Sequence, residues 1–288
     1  MELINDHFQN YKKYGIPKAQ LIIADIPYNI GINAYASSPQ WYKDGDNKNG
    51  ESKLAKKAFF DTDNDFRVPE FMHFVSTMLK KEPKEKGQAG CMIVFCEFEQ
   101  QFMLIEEAKK YNFNHYINLV FRKNYSAQVL KANMKIVGNC EYAVLFYREK
   151  LPKFNNNGKM IFNGIDIPEN YCFDYERDTN TAKIHPTQKS IYALKNLIEI
   201  FTDVGDVVID PTAGSGVTLL AAEQLGRKSY GFEIKKEFVK GFNEQLANNV
   251  QMTFSNIKKK KVFENRSIFD KIEKGGGVWY GTIKFIWR

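Results

Sequence analysis

Val207-Val208-Ile209-Asp210-Pro211-Thr212-Ala213-Gly214-Ser215-Gly216 is an apolar run that ends in an acid and breaks at once into turn residues. That pattern predicts a buried strand, a tight turn and the start of a helix. A second stretch repeats the first part of it far upstream: Leu21-Ile22-Ile23-Ala24-Asp25-Ile26-Pro27-Tyr28-Asn29. In open α/β sheets, ligands collect outside the carboxyl ends of the strands, where the strand order reverses. Two such ends can therefore meet in space although the chain separates them.

Outward from these ends, strands alternate with helices. Strands are predicted at 20–30, 90–97, near 115–122, at 140–147, 206–210 and 228–233. Helices are predicted at 69–80, 98–110, from about 215 to 225 and at 236–248, and His185-Pro186-Thr187-Gln188-Lys189-Ser190 leads into another that ends near Thr202. This alternation predicts an α/β fold built on a doubly wound, mostly parallel sheet. Residues 33–66 read as a long polar loop, and loops beyond ~15 residues in compact domains are usually functional or mobile. Residues 123–138 are polar and mixed. The expected organisation is an N-terminal part over 1–149, a linking or recognition segment over 150–184, a part carrying the glycine turn over 185–250, and a basic, aromatic tail over 251–288.

A chain of 288 residues with 43% apolar composition can bury the core of one large α/β domain, or one and a half. No apolar run approaches the ~18 residues that suggest a membrane span, so no membrane partner is expected. The opening Met-Glu-Leu-Ile-Asn-Asp lacks a signal-peptide pattern, which places the expected location in the cytoplasm. The four cysteines (Cys91, Cys96, Cys140, Cys172) form no C-x-x-C pair, and Cys91 and Cys96 sit in a strand-like run as reduced core residues. His7, His73 and His115 show no ligand spacing, so no metal is expected.

The net charge of +7 is concentrated at the C-terminus, where residues 251–288 hold nine Lys/Arg against three Asp/Glu. A compact basic segment points to a polyanionic partner, most often nucleic acid. Trp279, Tyr280, Phe285 and Trp287 follow the lysine run, which favours an ordered role: nucleic-acid contact, packing or oligomer contact.

In the downstream half, the glycines let the backbone approach a ligand closely, and a helix N-terminus favours negative or polar groups. The next strand ends in Gly231-Phe232-Glu233. An acid about 20 residues beyond a glycine turn can accept hydrogen bonds from both hydroxyls of a ribose. A dinucleotide site is the rival reading, but G-x-G-x-x-G needs glycine or alanine three residues after Gly216, and Leu219 stands there. The bland alternative is a structural strand–helix turn.

In the upstream half, Asp25-Ile26-Pro27-Tyr28 places a carboxylate, a backbone carbonyl and an aromatic face within four residues. The exocyclic amine of a nucleobase is a poor nucleophile because its lone pair is delocalised into the ring. A carboxylate and a carbonyl that accept its two N–H groups would orient that lone pair toward an electrophile. A tyrosine can meanwhile stack on a base turned out of the duplex. Taken alone, the four residues fit a buried strand end as well.

Asp25-Ile26-Pro27-Tyr28 resembles the D-P-P-Y catalytic motif of DNA amino-methyltransferases that use S-adenosylmethionine. Asp210 to Thr218 is similar to their cofactor motif, D-P-F-x-G-S-G-T-T, and His185 to Lys189 matches the H-P-T-Q-K segment that precedes it in one subgroup. Catalytic motif first and cofactor motif last is the order of the β group of this family, and the resemblance covers about residues 18–248. It implies a Rossmann-like methyltransferase fold with circularly permuted motif order and small inserted recognition elements. It implies that Asp210, Thr212, Gly214, Ser215 and Gly216 line S-adenosylmethionine, with Glu233 on its ribose. His185 belongs to the same cofactor segment, and Thr187 and Lys189 would lie near the methionine end. Asp25, the carbonyl of Ile26, Pro27 and Tyr28 would hold the flipped base of a DNA partner. An aspartate in the first position goes mostly with N6-adenine in this group, and serine with N4-cytosine.

Two positions depart from the pattern. Ile26 replaces the first proline, although the implied contact is its carbonyl and the residue before Pro27 is biased to extended backbone anyway. Thr212 replaces the usual phenylalanine and so removes an expected apolar contact. Asn124-Tyr125-Ser126 could contact DNA or cap a loop. Segment 150–184 is short for target recognition, so loop 33–66 and the tail are expected to share it; a short target, partial specificity or a homodimer that splits the work would each fit. The alternatives are an N4-cytosine enzyme, a protein-glutamine methyltransferase, which the motif order opposes, and a catalytically weakened DNA-binding relative.

Overall fold

Leu21, Ile22, Ile23 and Ala24 are all fully buried, because both faces of the strand they form are covered. Such strands read as continuous apolar runs rather than alternating ones. The computed structural model describes residues 1–27, 66–123, 128–131, 136–158, 161, 163–167 and 189–247. Within them the chain forms β1 (Glu2–Ile4), a short 3₁₀ helix (Phe8–Lys13), β2 (Leu21–Asp25), α1 (Val68–Met78), β3 (Cys91–Cys96), α2 (Gln100–Lys109) and β4 (His115–Lys123). It continues with β5 (Gln128–Lys131), β6 (Ile136–Gly138), β7 (Cys140–Tyr147), β8 (Gly164–Ile167), α3 (Ile191–Phe201), β9 (Val207–Asp210), α4 (Val217–Gln224), β10 (Lys228–Phe232) and α5 (Lys236–Ala247).

Eight strands make one sheet in the order β1-β10-β9-β2-β3-β7-β4-β8, and β5 and β6 pair separately. The first five are mutually parallel. Strand β7 runs antiparallel to both β3 and β4, whereas β8 joins β4 in parallel. The sheet is thus mixed and mostly parallel, as the alternation predicted.

Side-chain alternation sorts the core into two layers. Ile22, Ala24, Met92, Val94, Val144, Phe146 and Ile209 pack on one face with Phe71, Phe74 and Val75 of α1 and Leu104 and Ala108 of α2. Leu21, Ile23, Cys91, Ile93, Phe95, Leu145 and Val208 pack on the other with Leu194, Leu197 and Ile198 of α3 and Ala221 of α4. Two helix starts carry readable signals: Pro69 in the first turn of α1, and Ser190 capping α3 by accepting from the Ala193 N–H. Cys91 and Cys96 are buried and free, and burial pushes both thiols well above their ordinary range.

Five elements went unread in the sequence: β1, the 3₁₀ helix Phe8–Lys13, the β5–β6 pair and β8. Strand β8 lies in the segment expected to link or to serve recognition, and it extends the far edge of the sheet. No described helix is long and apolar enough to cross a membrane.

Candidate active site

After the edge strand β1, the chain lays down β2 and builds outward through β3, then returns late to place β9 on the opposite flank of β2. Leu21 pairs with Val208 and Ile22 with Ile209. The sequence order reverses between these two strands, so Asp25 and Asp210 close adjacent strands at one edge. The two ends meet as expected.

A hydrogen bond ties them together. The Asp25 backbone N–H donates to Thr212 Oγ1 at 3.1 Å. Thr212, whose departure from phenylalanine was expected only to remove a contact, instead supplies the acceptor that joins the two halves. Its own N–H donates to Asp210 Oδ1 at 3.0 Å. The Asp210 side chain is buried at 4% exposure. Burial pushes its carboxyl up to about 7, against the pull of hydrogen bonds from the Thr218 hydroxyl and the Thr212 N–H. Asp210 therefore shapes the turn from inside.

The turn itself needs its glycines. Gly214 and Gly216 have φ of 52° and 75°, the left-handed region that side chains disfavour. A Cβ on Gly216 would also stand 2.5 Å from the ring of Phe242 on α5. The turn packs against the neighbouring strand end, where Glu233 Oε2 accepts from the Gly214 N–H at 2.9 Å and Oε1 from the Lys235 N–H at 2.7 Å. Burial raises the Glu233 carboxyl, and these N–H groups pull it back. The Glu233 N–H donates to the Ile4 carbonyl at 2.9 Å, which gives the unexpected β1 its role as a brace for this corner. Asn5 Nδ2 adds a bond to the Glu233 carbonyl at 2.8 Å.

On the upstream side, the Ile26 side chain is buried in the first core layer, which explains why an isoleucine is accommodated there. The Ile26 N–H donates to the Phe95 carbonyl at 3.3 Å. Gln100, in the first turn of α2, donates through Nε2 to the Pro27 carbonyl at 2.9 Å and accepts through Oε1 from the Glu97 N–H at 3.0 Å. The strand end is thus held from both sides.

Lys189, which the resemblance set near a cofactor's methionine end, pairs with Asp25. Its Nζ lies 3.1 Å from Asp25 Oδ1 and 3.6 Å from Glu141 Oε2, and its side chain is 10% exposed. It also stands over the Phe95 ring, 5.2 Å from the centroid. Glu97, just past the end of β3, has its carboxyl raised by burial; Lys189 lowers it, while Glu141 and Asp25 raise it further.

Ser215 is buried within the turn. Tyr28, His185 and Thr187 lie outside the described residues, as do Asn124-Tyr125-Ser126, nearly all of loop 33–66 and the tail 251–288. Glu97, Glu141 and Gln100 were missed in the sequence. The strand-end rule that picked out Asp25 and Asp210 applies equally to Glu97, one residue beyond Cys96.

Chemically, this edge offers a glycine-bared turn with an adjacent carboxylate, Glu233, and beside it a second acid, Asp25, paired with Lys189. The sequence profile of a family described as DNA methylase matches residues 19–244. The DNA adenine methyltransferase YhdJ of Escherichia coli (strain K12) is 29% identical over 260 residues, which cover 82% of this chain and 78% of that protein. In fold, the chain is similar to M1.HpyAVI in its S-adenosylmethionine complex, with a TM-score of 0.57 and 18% identity over 85% of this chain and 98% of that one. It is also similar to the cytosine-N4-specific PvuII DNA methyltransferase, with a TM-score of 0.57 and 16% identity over 84% of each chain.

Proposed function

The chain belongs to the DNA methylase family, and on that premise we propose that it transfers a methyl group from S-adenosylmethionine to the exocyclic N6 amine of an adenine turned out of the duplex. The observation that carries this reading is the Asp25 N–H to Thr212 Oγ1 bond, which makes one site of two motifs far apart in the chain. The adenine preference is supported by the aspartate at position 25 and by the named activity of the E. coli relative.

The donor set fits such a cofactor. Glu233 keeps further lone pairs for a ribose diol while its oxygens hold the turn, and Gly214 and Gly216 leave the backbone bare beside it. S-adenosylmethionine would supply a methyl group already activated by a sulfonium charge, so no strong base has to act first. With that donor bound, the site would have to hold the amine lone pair in line with the methyl group, tolerate the positive charge the nitrogen gains, and let its surplus proton leave to water. Asp25 and the Ile26 carbonyl accept the two amine N–H groups, aim the lone pair and stabilise the developing positive charge by preorganised electrostatics. Tyr28 stacks on the base.

The test is transfer from labelled cofactor to duplexes that lack either adenine or cytosine, followed by mapping of the modified bases by sequencing. Label confined to adenine-containing duplexes, at the N6 position, is the expected result. Label in the adenine-free duplex would assign the enzyme to N4-cytosine instead, and label in neither would remove the activity.

A further inference from the structure

Two carboxylates pair with one ammonium at the edge where the proposed base would sit, and a third, Glu97, lies within its electrostatic reach. Asp25 closes β2, Glu97 follows β3 and Glu141 is the second residue of β7, three neighbouring strands of the sheet. Lys189 enters from the start of α3, 3.1 Å from Asp25 and 3.6 Å from Glu141. Asp25 and Glu141 keep 30% and 22% side-chain exposure against 10% for Lys189, so the ammonium is the most enclosed member.

This arrangement poses a difficulty for Asp25. A lysine at 3.1 Å pins the carboxylate, which aids aim, but it also cancels much of the negative potential that a nearby developing cation would feel. In a partly enclosed site such cancellation is stronger than in water. Glu141 lies on the other side of the same ammonium and offsets it. Among the described residues, Asp25, Lys189 and Glu141 together carry one net negative charge, with Glu97 adding to it when ionised. The ion pair can then position Asp25 without neutralising it.

We propose that Glu141 and Lys189 are positioning residues for methyl transfer: Lys189 fixes the Asp25 carboxylate, and Glu141 balances Lys189 so that Asp25 still presents net negative charge to the amine. The inference rests on the function proposed above. It accounts for an acid at the start of a strand whose later residues are buried, and for a lysine that leans on Phe95 rather than reaching for solvent. A structural ion pair would require only one acid.

The experiment compares single-turnover transfer rates, and cofactor and DNA dissociation constants, for the wild-type chain and the variants Glu141→Gln, Lys189→Met, Lys189→Arg and the double variant Glu141→Gln/Lys189→Met. Glu141→Gln should slow transfer by about tenfold or more, with both dissociation constants within about threefold of wild type. Unbalanced lysine then shields Asp25. Removing that lysine in the double variant should recover part of the lost rate, so that the double variant outpaces Glu141→Gln. Lys189→Arg, which keeps the positive charge, should transfer faster than Lys189→Met. A wild-type rate for Glu141→Gln, or a double variant slower than either single one, overturns the inference while leaving the proposed activity standing. A wild-type chain that transfers no methyl group removes both.

Discussion

Replacing Thr212 by valine keeps the shape of the side chain and deletes the oxygen that accepts from the Asp25 N–H across the two strand ends. The Asp25 N–H, which donates to it at 3.1 Å, then loses its acceptor in a part-buried setting. A buried donor left unsatisfied costs about 1–3 kcal/mol, more than the ~1 kcal/mol net value of a typical hydrogen bond. For a domain of this size each kcal/mol lowers Tm by about 2–4 °C, so the loss should be roughly 2–12 °C. The rate should suffer as well. The lost bond frees the backbone that carries the Asp25 carboxylate, and displacements of about 1 Å at a reacting centre cost up to ~100-fold. Thr212→Ser keeps the acceptor and serves as the control. Calorimetry and single-turnover transfer should place the serine variant near wild type, with the valine variant less stable and about tenfold slower. Equal behaviour of valine and serine variants would refute the role given to the hydroxyl.

Gly216→Ala forces a left-handed residue and a Cβ 2.5 Å from the buried Phe242 ring, so denaturant unfolding should show a loss of about 2–5 kcal/mol, and an unchanged midpoint would contradict the geometry. Asp210 has its carboxyl raised from an ordinary 3.8 to about 7, so the folded state holds its proton longer than the unfolded state does. Stability should therefore fall as pH rises from about 4 to 7, and Asp210→Asn should flatten that slope in thermal scans across this window; an unaltered slope would argue against the burial effect. Glu233→Gln removes a charged acceptor from the turn and from the proposed ribose site, and should weaken S-adenosylmethionine binding by about 10–100-fold in titration calorimetry. Unchanged affinity would place the ribose elsewhere.

The parallel centre of the sheet was legible because strands covered on both faces must be apolar along their buried length, as 21–24, 91–96 and 207–209 are. Strand 140–147 was legible as a strand, but its reversed direction was not, since direction is set by which neighbours and connections are available. β1 and β8, with three and four residues, are too short to show a period. The meeting of Asp25 with Asp210 followed from the general rule about strand ends. The bond that Thr212 makes was not legible because a hydroxyl's value depends on which N–H faces it, and that donor lies in the other half of the chain. Glu141 was passed over because an acid at a strand's start ordinarily faces solvent. Here it faces Lys189.

In the proposed division of labour, Asp25 acts on the base while the Asp210–Gly216 turn and Glu233 hold the methyl donor. Tritium transfer from labelled S-adenosylmethionine to DNA by Asp25→Ala, measured beside the cofactor affinity of the same variant, tests that division directly. Loss of transfer, with cofactor binding largely intact, is the expected result. Transfer near the wild-type rate would contradict it.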